Sequence, residues 1–214
     1  MIVITFNSIY YYFSFEIKHQ HMKIELISKE ENIISNWSGG STSQLYIIPK
    51  NSTLQERNFD FRISSAIVEV EESEFTSFVG YDRLLMVLNG ELEIVHENQY
   101  KKTLKQYEVD SFSGDWKTTS KGKITDFNLI VKRGLKGELN YLNLKTEVSI
   151  SKEFSNLPER IGYFVISGVL NVKIHNSEYN VQKGELLMIE NRGEKDSFDL
   201  EGDCEIVELL IFNV

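Results

Sequence analysis

The sequence carries one plan written twice. LLMVLNGELEIVHENQYKKTLKQYEVDSF (84–112) and YFVISGVLNVKIHNSEYNVQKGELLMIE (163–190) each run through an apolar strand, a turn glycine, an alternating strand, a polar turn and a strand with a short apolar exit. Gly90 stands 78 positions before Gly168, and His96 stands 79 before His175. A period this long in 214 residues leaves room for two domain-sized copies and excludes a solenoid of many small units. The rest of the chain has the same character. QLYIIP, FRISSAIVEV, KITDFNLIVKR and EIVELLIF are short runs rich in Ile, Val, Leu and Phe, set off by Gly, Asn, Asp and Ser. No stretch keeps a helical period over three turns; ISKEENIIS and SKEFSNLPER each predict no more than a turn of helix. The expected class is all-β.

The segment GVLNVKIHNSEYNVQKGELLMIENRG, with its hairpin, its Lys-Gly-Glu turn and its apolar exit strand, resembles the core of a cupin jelly roll. Gly184 would supply the turn, and the first copy ends comparably at VDSFSGD. The predicted architecture is a bicupin, two jelly-roll β-barrels in one compact chain, with 22–140 forming the first barrel and 141–214 the second. The opening MIVITFNSIYYYFSF is apolar and aromatic but is interrupted by Asn7 and Ser8 and followed by Glu16, which is short for a bilayer span. It also has neither a basic leader nor a small-residue cleavage site. We read residues 1–21 as an extension upstream of a domain that begins near Met22. An additional strand and a membrane anchor are the alternatives.

Charge and cysteine usage narrow the partners. Lys and Arg total 23 against 32 Asp and Glu, a net charge of -9, with the acids spread along the chain. Nucleic acid and anionic membrane surfaces would be repelled, so neither is expected as a partner, although a local basic pocket for one small anion fits the balance. A single cysteine, Cys204, rules out an internal disulfide and a thiolate metal cluster, and places the expected location in the reducing cytoplasm. Metal-dependent cupins resemble one another in a His-x-His pair, a following glutamate and a third histidine. Alternate strand positions point the same way, and the imidazoles thereby converge on the barrel axis. Here His96 and His175 each lack a histidine two positions away, and the one His-x-His, His19 and His21, lies in the N-terminal extension. The expectation is a barrel with no metal and no other cofactor, in which His96 and His175 are hydrogen-bonded strand-end residues.

Polar residues gather in the first half. In FRISSAIVEV, Arg62, Ser64 and Ala66 share one strand face. In ITDFNLIVKR, Asp126 and Asn128 share a face opposite Phe127 and Leu129. Asp82 and Arg83 open the apolar run of FVGYDRLLMVLNG, and Asp115 follows in SFSGDW. Adjacent strand residues point to opposite faces, so Asp82 and Arg83 do not easily enter one pocket together; the pair is expected to brace the entry to the first barrel, with one of the two able to look inward.

Four blocks in order, NWSGGSTSQL (36–45), FDFRISSAIV (59–68), FTSFVGYDRLLMVLNG (75–90) and FSGDWKTTSKGKITDFNLIVKRG (112–134), resemble the HutD/Ves family of bicupins. The chain departs from that pattern at Ser41 and Gln44, where a glycine and a glutamate are usual, at Phe61 for a tryptophan, and at Val79 for a proline. The resemblance implies a candidate pocket built from Arg62, Ser64, Asp82, Arg83, Asp115, Asp126 and Asn128, with no catalytic mechanism attached. It further implies a sensing or regulatory protein that binds a small polar, carboxylate-bearing metabolite of histidine utilisation, such as formylglutamate or urocanate. The alternatives are a metal-free enzyme using Asp115 as acid or base, and a stress-related interaction protein. A homodimer through exposed sheet edges stays open.

Overall fold

In a computed structural model of the chain, residues 22–145, 149–152, 158–191 and 198–213 are described. The β-branched and aromatic runs form 17 strands among these residues: β1 (Lys23–Ile27), β2 (Ile33–Trp37), β3 (Gly40–Ile48), β4 (Phe61–Val68), β5 (Glu72–Glu74), β6 (Tyr81–Asn89), β7 (Leu92–His96), β8 (Tyr100–Leu104), β9 (Val109–Ser113), β10 (Thr118–Lys121), β11 (Ile124–Lys132), β12 (Leu135–Leu144), β13 (Ile150–Lys152), β14 (Arg160–Ile174), β15 (Ser177–Gln182), β16 (Leu186–Glu190) and β17 (Phe198–Asn213). The only helix among them is the single 3-10 turn Lys29–Glu31 inside ISKEENIIS. Residues 153–157 of SKEFSNLPER, and residues 1–21 with His19 and His21, lie outside the described residues. Among the described residues no helix is long and apolar enough to cross a membrane.

The strands form a six-stranded sheet in the order β2-β3-β4-β11-β6-β9, a four-stranded sheet β5-β10-β7-β8, and a seven-stranded sheet β1-β16-β14-β17-β12 to which β13 and β15 add through β17 and β14. The duplication is visible in the pairing. β6 pairs with β11 and β9, and β7 with β8 and β10; in the second half β14 alone pairs with β17, β16 and β15. The long strands β14 and β17 therefore repeat β6 with β7 and β10 with β11. The fold is an all-β bicupin.

What the sequence shows as a turn glycine is a bend within a continuous strand in the second copy. Gly168 lies inside β14 at φ +78, and a Cβ there would stand 2.0 Å from the Asp203 carbonyl oxygen. Gly90, at φ +93, ends β6 in the first copy. The expected division at 140/141 falls within β12, which pairs with β17 from Leu135 to Leu144. Nothing in GELNYLNL breaks a strand, so the chain passes between sheets earlier, at Gly134, whose φ is +101. β1, expected in the first barrel, pairs with β16 of the second.

Side-chain alternation gives the six-stranded sheet two different faces. Phe61, Ile63, Leu84, Met86, Phe127, Leu129 and Val131 pack against Phe164, Met188, Val207, Leu209 and Ile211 of the seven-stranded sheet, forming a core between the two barrels. The opposite face turns into the first barrel, where Leu85, Val87, Leu92, Ile94, Leu104 and Phe112 close one end. The other end is hollow.

Candidate functional site

That hollow is a cavity of about 370 Å³. β4 contributes Arg62, Ser64 and Ala66, β11 contributes Asp126, Asn128 and Ile130, β6 contributes Arg83, and Trp37, Leu54, Glu74 and Phe75 stand nearer its mouth. These are the residues of β4 and β11 that alternate with the interbarrel core, so the period of two that packs Ile63 and Phe127 outward aims Arg62 and Asp126 inward. Ile130 lies opposite Arg62 on one side and Arg83 on the other, which sets the two cations two strands apart at the same level.

Both guanidiniums are buried, Arg62 at 7% exposure and Arg83 at 6%. Arg62 donates its Nε–H to Gln44 Oε1 at 2.8 Å and an Nη1–H to Ser64 Oγ at 2.9 Å. Arg83 donates to the Thr76 carbonyl at 3.3 Å, and its Nε has no hydrogen-bond partner among the described residues. Its charge stands against aromatic faces, 4.8 Å from the Phe75 centroid, 5.3 Å from Phe112 and 5.7 Å from Phe78. Rings stabilise a cation through their quadrupole without cancelling its charge. Among the described residues no carboxylate oxygen comes within 4.0 Å of either guanidinium. Burial lowers both to about 10, against the pull of Asp126, which leaves each cationic near neutral pH.

Asp126, 4% exposed, accepts a hydrogen bond at Oδ1 from the Ala66 N–H at 3.2 Å. Burial pushes its carboxyl up to about 7, opposed by that N–H and by the charges of Arg83 and Arg62. Asn128, two positions along the same face, is buried, and its Oδ1 has no hydrogen-bond partner among the described residues.

Asp82 and Asp115 are the two expected site residues that the structure places elsewhere. Alternation sends Asp82 to the face opposite Arg83. Its Oδ1 lies 3.8 Å from Arg133 Nε, while Asp115 pairs through Oδ2 with Arg133 Nη2 and accepts the Gly80 N–H at 2.8 Å. Arg133 first, and Gly80 second, hold the Asp115 carboxyl below its ordinary value. An ion-paired carboxylate held ionised is not a proton donor near neutral pH, and Asp115 does not line the cavity, so it is not placed to act as acid or base on a molecule held there. These two acids brace the corner around Gly80.

His96 is hydrogen-bonded at the end of β7, with Nδ1 2.8 Å from Thr118 Oγ1 and Nε2 2.8 Å from Asp110 Oδ2. Its ring centroid lies 4.4 Å from that of Phe112 with the planes tilted by 41°, and the Thr118 carbonyl accepts the Phe75 N–H at 2.9 Å, so the network supports the aromatic wall behind Arg83. Among the described residues no group of three or more His, Cys, Asp or Glu could hold a metal ion. The aromatic wall escaped the sequence reading because Phe75 and Phe78 lie between β5 and β6, where no period reports direction.

The HutD family model matches residues 29–207. The chain belongs to the HutD family. Its 96-residue match to an uncharacterised protein of the hutC 3' region of Pseudomonas putida is 33% identical and covers 43% of this chain and 48% of that one, so the chain spans about half the length of that curated relative. Two solved structures share the fold of this HutD chain. A conserved protein of unknown function from Pseudomonas aeruginosa PAO1 has a TM-score of 0.78 at 18% identity, covering 89% of this chain and 100% of that one. HutD from Pseudomonas fluorescens SBW25, in a formate condition, has a TM-score of 0.68 at 21% identity, covering 88% and 99%. YhhW from Escherichia coli is more distant, at 0.64 and 13%, covering 90% and 99%.

Proposed function

We propose that the first barrel of this HutD protein binds a small carboxylate-bearing metabolite between Arg62 and Arg83, and that the protein acts as a sensor of that metabolite. The observation that carries this reading is the pair of buried guanidiniums facing one cavity with no carboxylate within 4.0 Å among the described residues. Keeping a cation out of water costs several kcal/mol unless an opposite charge meets it, and an anionic ligand supplies that charge. Arg forks match the two oxygens of a carboxylate in plane. Asn128 can donate to a second oxygen, and its unpartnered Oδ1 can accept an N–H from an amide or imidazole. Ligands with a carboxylate at one end and an amide or imidazole at the other fit this order of groups. N-formyl-L-glutamate and urocanate are both of that kind, and the hutC-region location of the Pseudomonas putida relative favours a compound of histidine utilisation.

The experiment is calorimetric titration of the purified protein with N-formyl-L-glutamate, urocanate and formate, alongside thermal shift. At 100 times its Kd a ligand adds about 2.7 kcal/mol to stability. Arg62→Ala is expected to weaken binding by roughly 30-fold or more, the equivalent of losing about 2 kcal/mol or more from a buried charge pair. Binding of equal strength in that variant overturns the clamp.

A further inference from the structure

Asp126 is a second carboxyl group in the same cavity, and a bound carboxylate would share that enclosure with it. We propose, resting on the carboxylate reading above, that Asp126 enters the complex as a neutral acid and donates a hydrogen bond to the ligand anion, so that capturing the anion takes up one proton. The proton comes from solvent and resides on Asp126; no covalent bond changes.

Three features of the site support this. The Asp126 side chain faces the cavity and is 4% exposed, so water cannot screen it from a neighbouring anion. Among the described residues only one of its oxygens is engaged, by the Ala66 N–H at 3.2 Å, and neither arginine approaches within 4.0 Å to hold the group ionised by direct contact. Oδ2 is therefore available to carry a proton and become a donor. Two carboxylates in one buried site cannot both ionise without large repulsion, and the proton settles on the one with the weaker partners. A ligand clamped by two guanidiniums keeps its charge; Asp126 gives way.

The groups facing Asp126 are few. β4 presents Arg62 and the hydroxyl of Ser64, β6 presents Arg83, β5 presents the exposed carboxylate of Glu74 at the mouth, and β2 and β3 present only the neutral Ser35, Asn36 and Thr42. Without a ligand, burial already raises the Asp126 carboxyl to about 7, and the added anion raises it further. The sign follows from linkage. Below about pH 6 the acid is protonated and affinity is flat. Above about 7 each unit of pH weakens binding by about tenfold, because the proton must be recovered.

The test is titration calorimetry with N-formyl-L-glutamate, which does not itself titrate in this range, at pH 6.0, 7.0 and 8.5, each in two buffers of different ionisation enthalpy. The wild type is expected to take up protons on binding, approaching one per ligand at pH 8.5, and to lose affinity steeply between pH 7.0 and 8.5. Asp126→Asn should bind at pH 8.5 at least tenfold more tightly than the wild type, with no uptake and no slope. Asp82→Asn, on the outer face, should keep the wild-type slope. Should Asp126→Asn fail to fold, the buffer dependence of the wild type decides alone. Binding with a flat pH profile and no proton uptake overturns this inference and leaves the carboxylate pocket standing; absence of binding by N-formyl-L-glutamate, urocanate and formate at pH 6.0 overturns both.

Discussion

Arg62 gives its Nε–H to the neutral Oε1 of Gln44, so the neighbour that orients the guanidinium takes nothing from its charge. A carboxylate at position 44 would form a buried ion pair across the same 2.8 Å contact. Gln44→Glu is therefore expected to leave the fold intact while lowering affinity for a carboxylate ligand by roughly tenfold or more, the charge of Arg62 being already satisfied. Titration of that variant beside the wild type checks it, and unchanged affinity would show that Arg62 does not act as a charge. The amide at 44 was legible in the sequence as a departure from a glutamate, but not the direction of its effect, because only the structure shows which cation it meets. Alternation made most of the site readable. It grouped Arg62 with Ser64 and Asp126 with Asn128, since a period of two is the whole rule for a strand. Asp115 was misread because it follows Gly114 in a turn, where no period reports direction, and its partner Arg133 sits in another turn.

The two copies of the jelly roll explain at the level of strands why the cations occur once. Register places Asn140 and Glu208 of the second barrel where Ser64 and Asn128 stand in the first, and Ile161 and Ile206 where Arg83 and Asp126 stand. Ile161 and Ile206 belong to a dense apolar core, and the same register sets Glu138 where Arg62 stands, so the second barrel has neither cation and is apolar at the positions of Arg83 and Asp126 while staying polar at the others. The repeat itself was visible in the sequence as paired glycines, though not that β14 runs unbroken through its bend. Glycine is required there on two counts, the positive φ of Gly168 and the Asp203 carbonyl 2.0 Å from where a Cβ would stand. At Gly184 only φ matters, since the nearest atom to a Cβ is 3.6 Å away. Gly184→Ala should cost about 1 kcal/mol, and Gly168→Ala roughly 3 kcal/mol or more, with backbone displacement added to strain. Urea denaturation midpoints of the two variants test the ranking, and equal costs would show that β14 has room to shift.

Across the whole molecule the barrels share a core. The outer face of the six-stranded sheet buries Phe61, Ile63, Met86, Phe127 and Leu129 against the other sheet, side chains that an isolated first barrel would expose to water as one patch. A fragment comprising residues 22–133 is accordingly expected to aggregate or bind a hydrophobic dye, while the full chain melts in a single transition; two separate transitions by calorimetry would contradict this. The bicupin class was legible because the duplicated pattern is long. The exchange of β1 was not, because a five-residue strand carries no record of which edge it will pair with. Its partners Leu186 to Glu190 lie about 160 residues downstream. The ladder between β1 and β16 can close only once both distant segments exist, so its two ends meet by closing a long loop, a pairing of the kind that forms slowly.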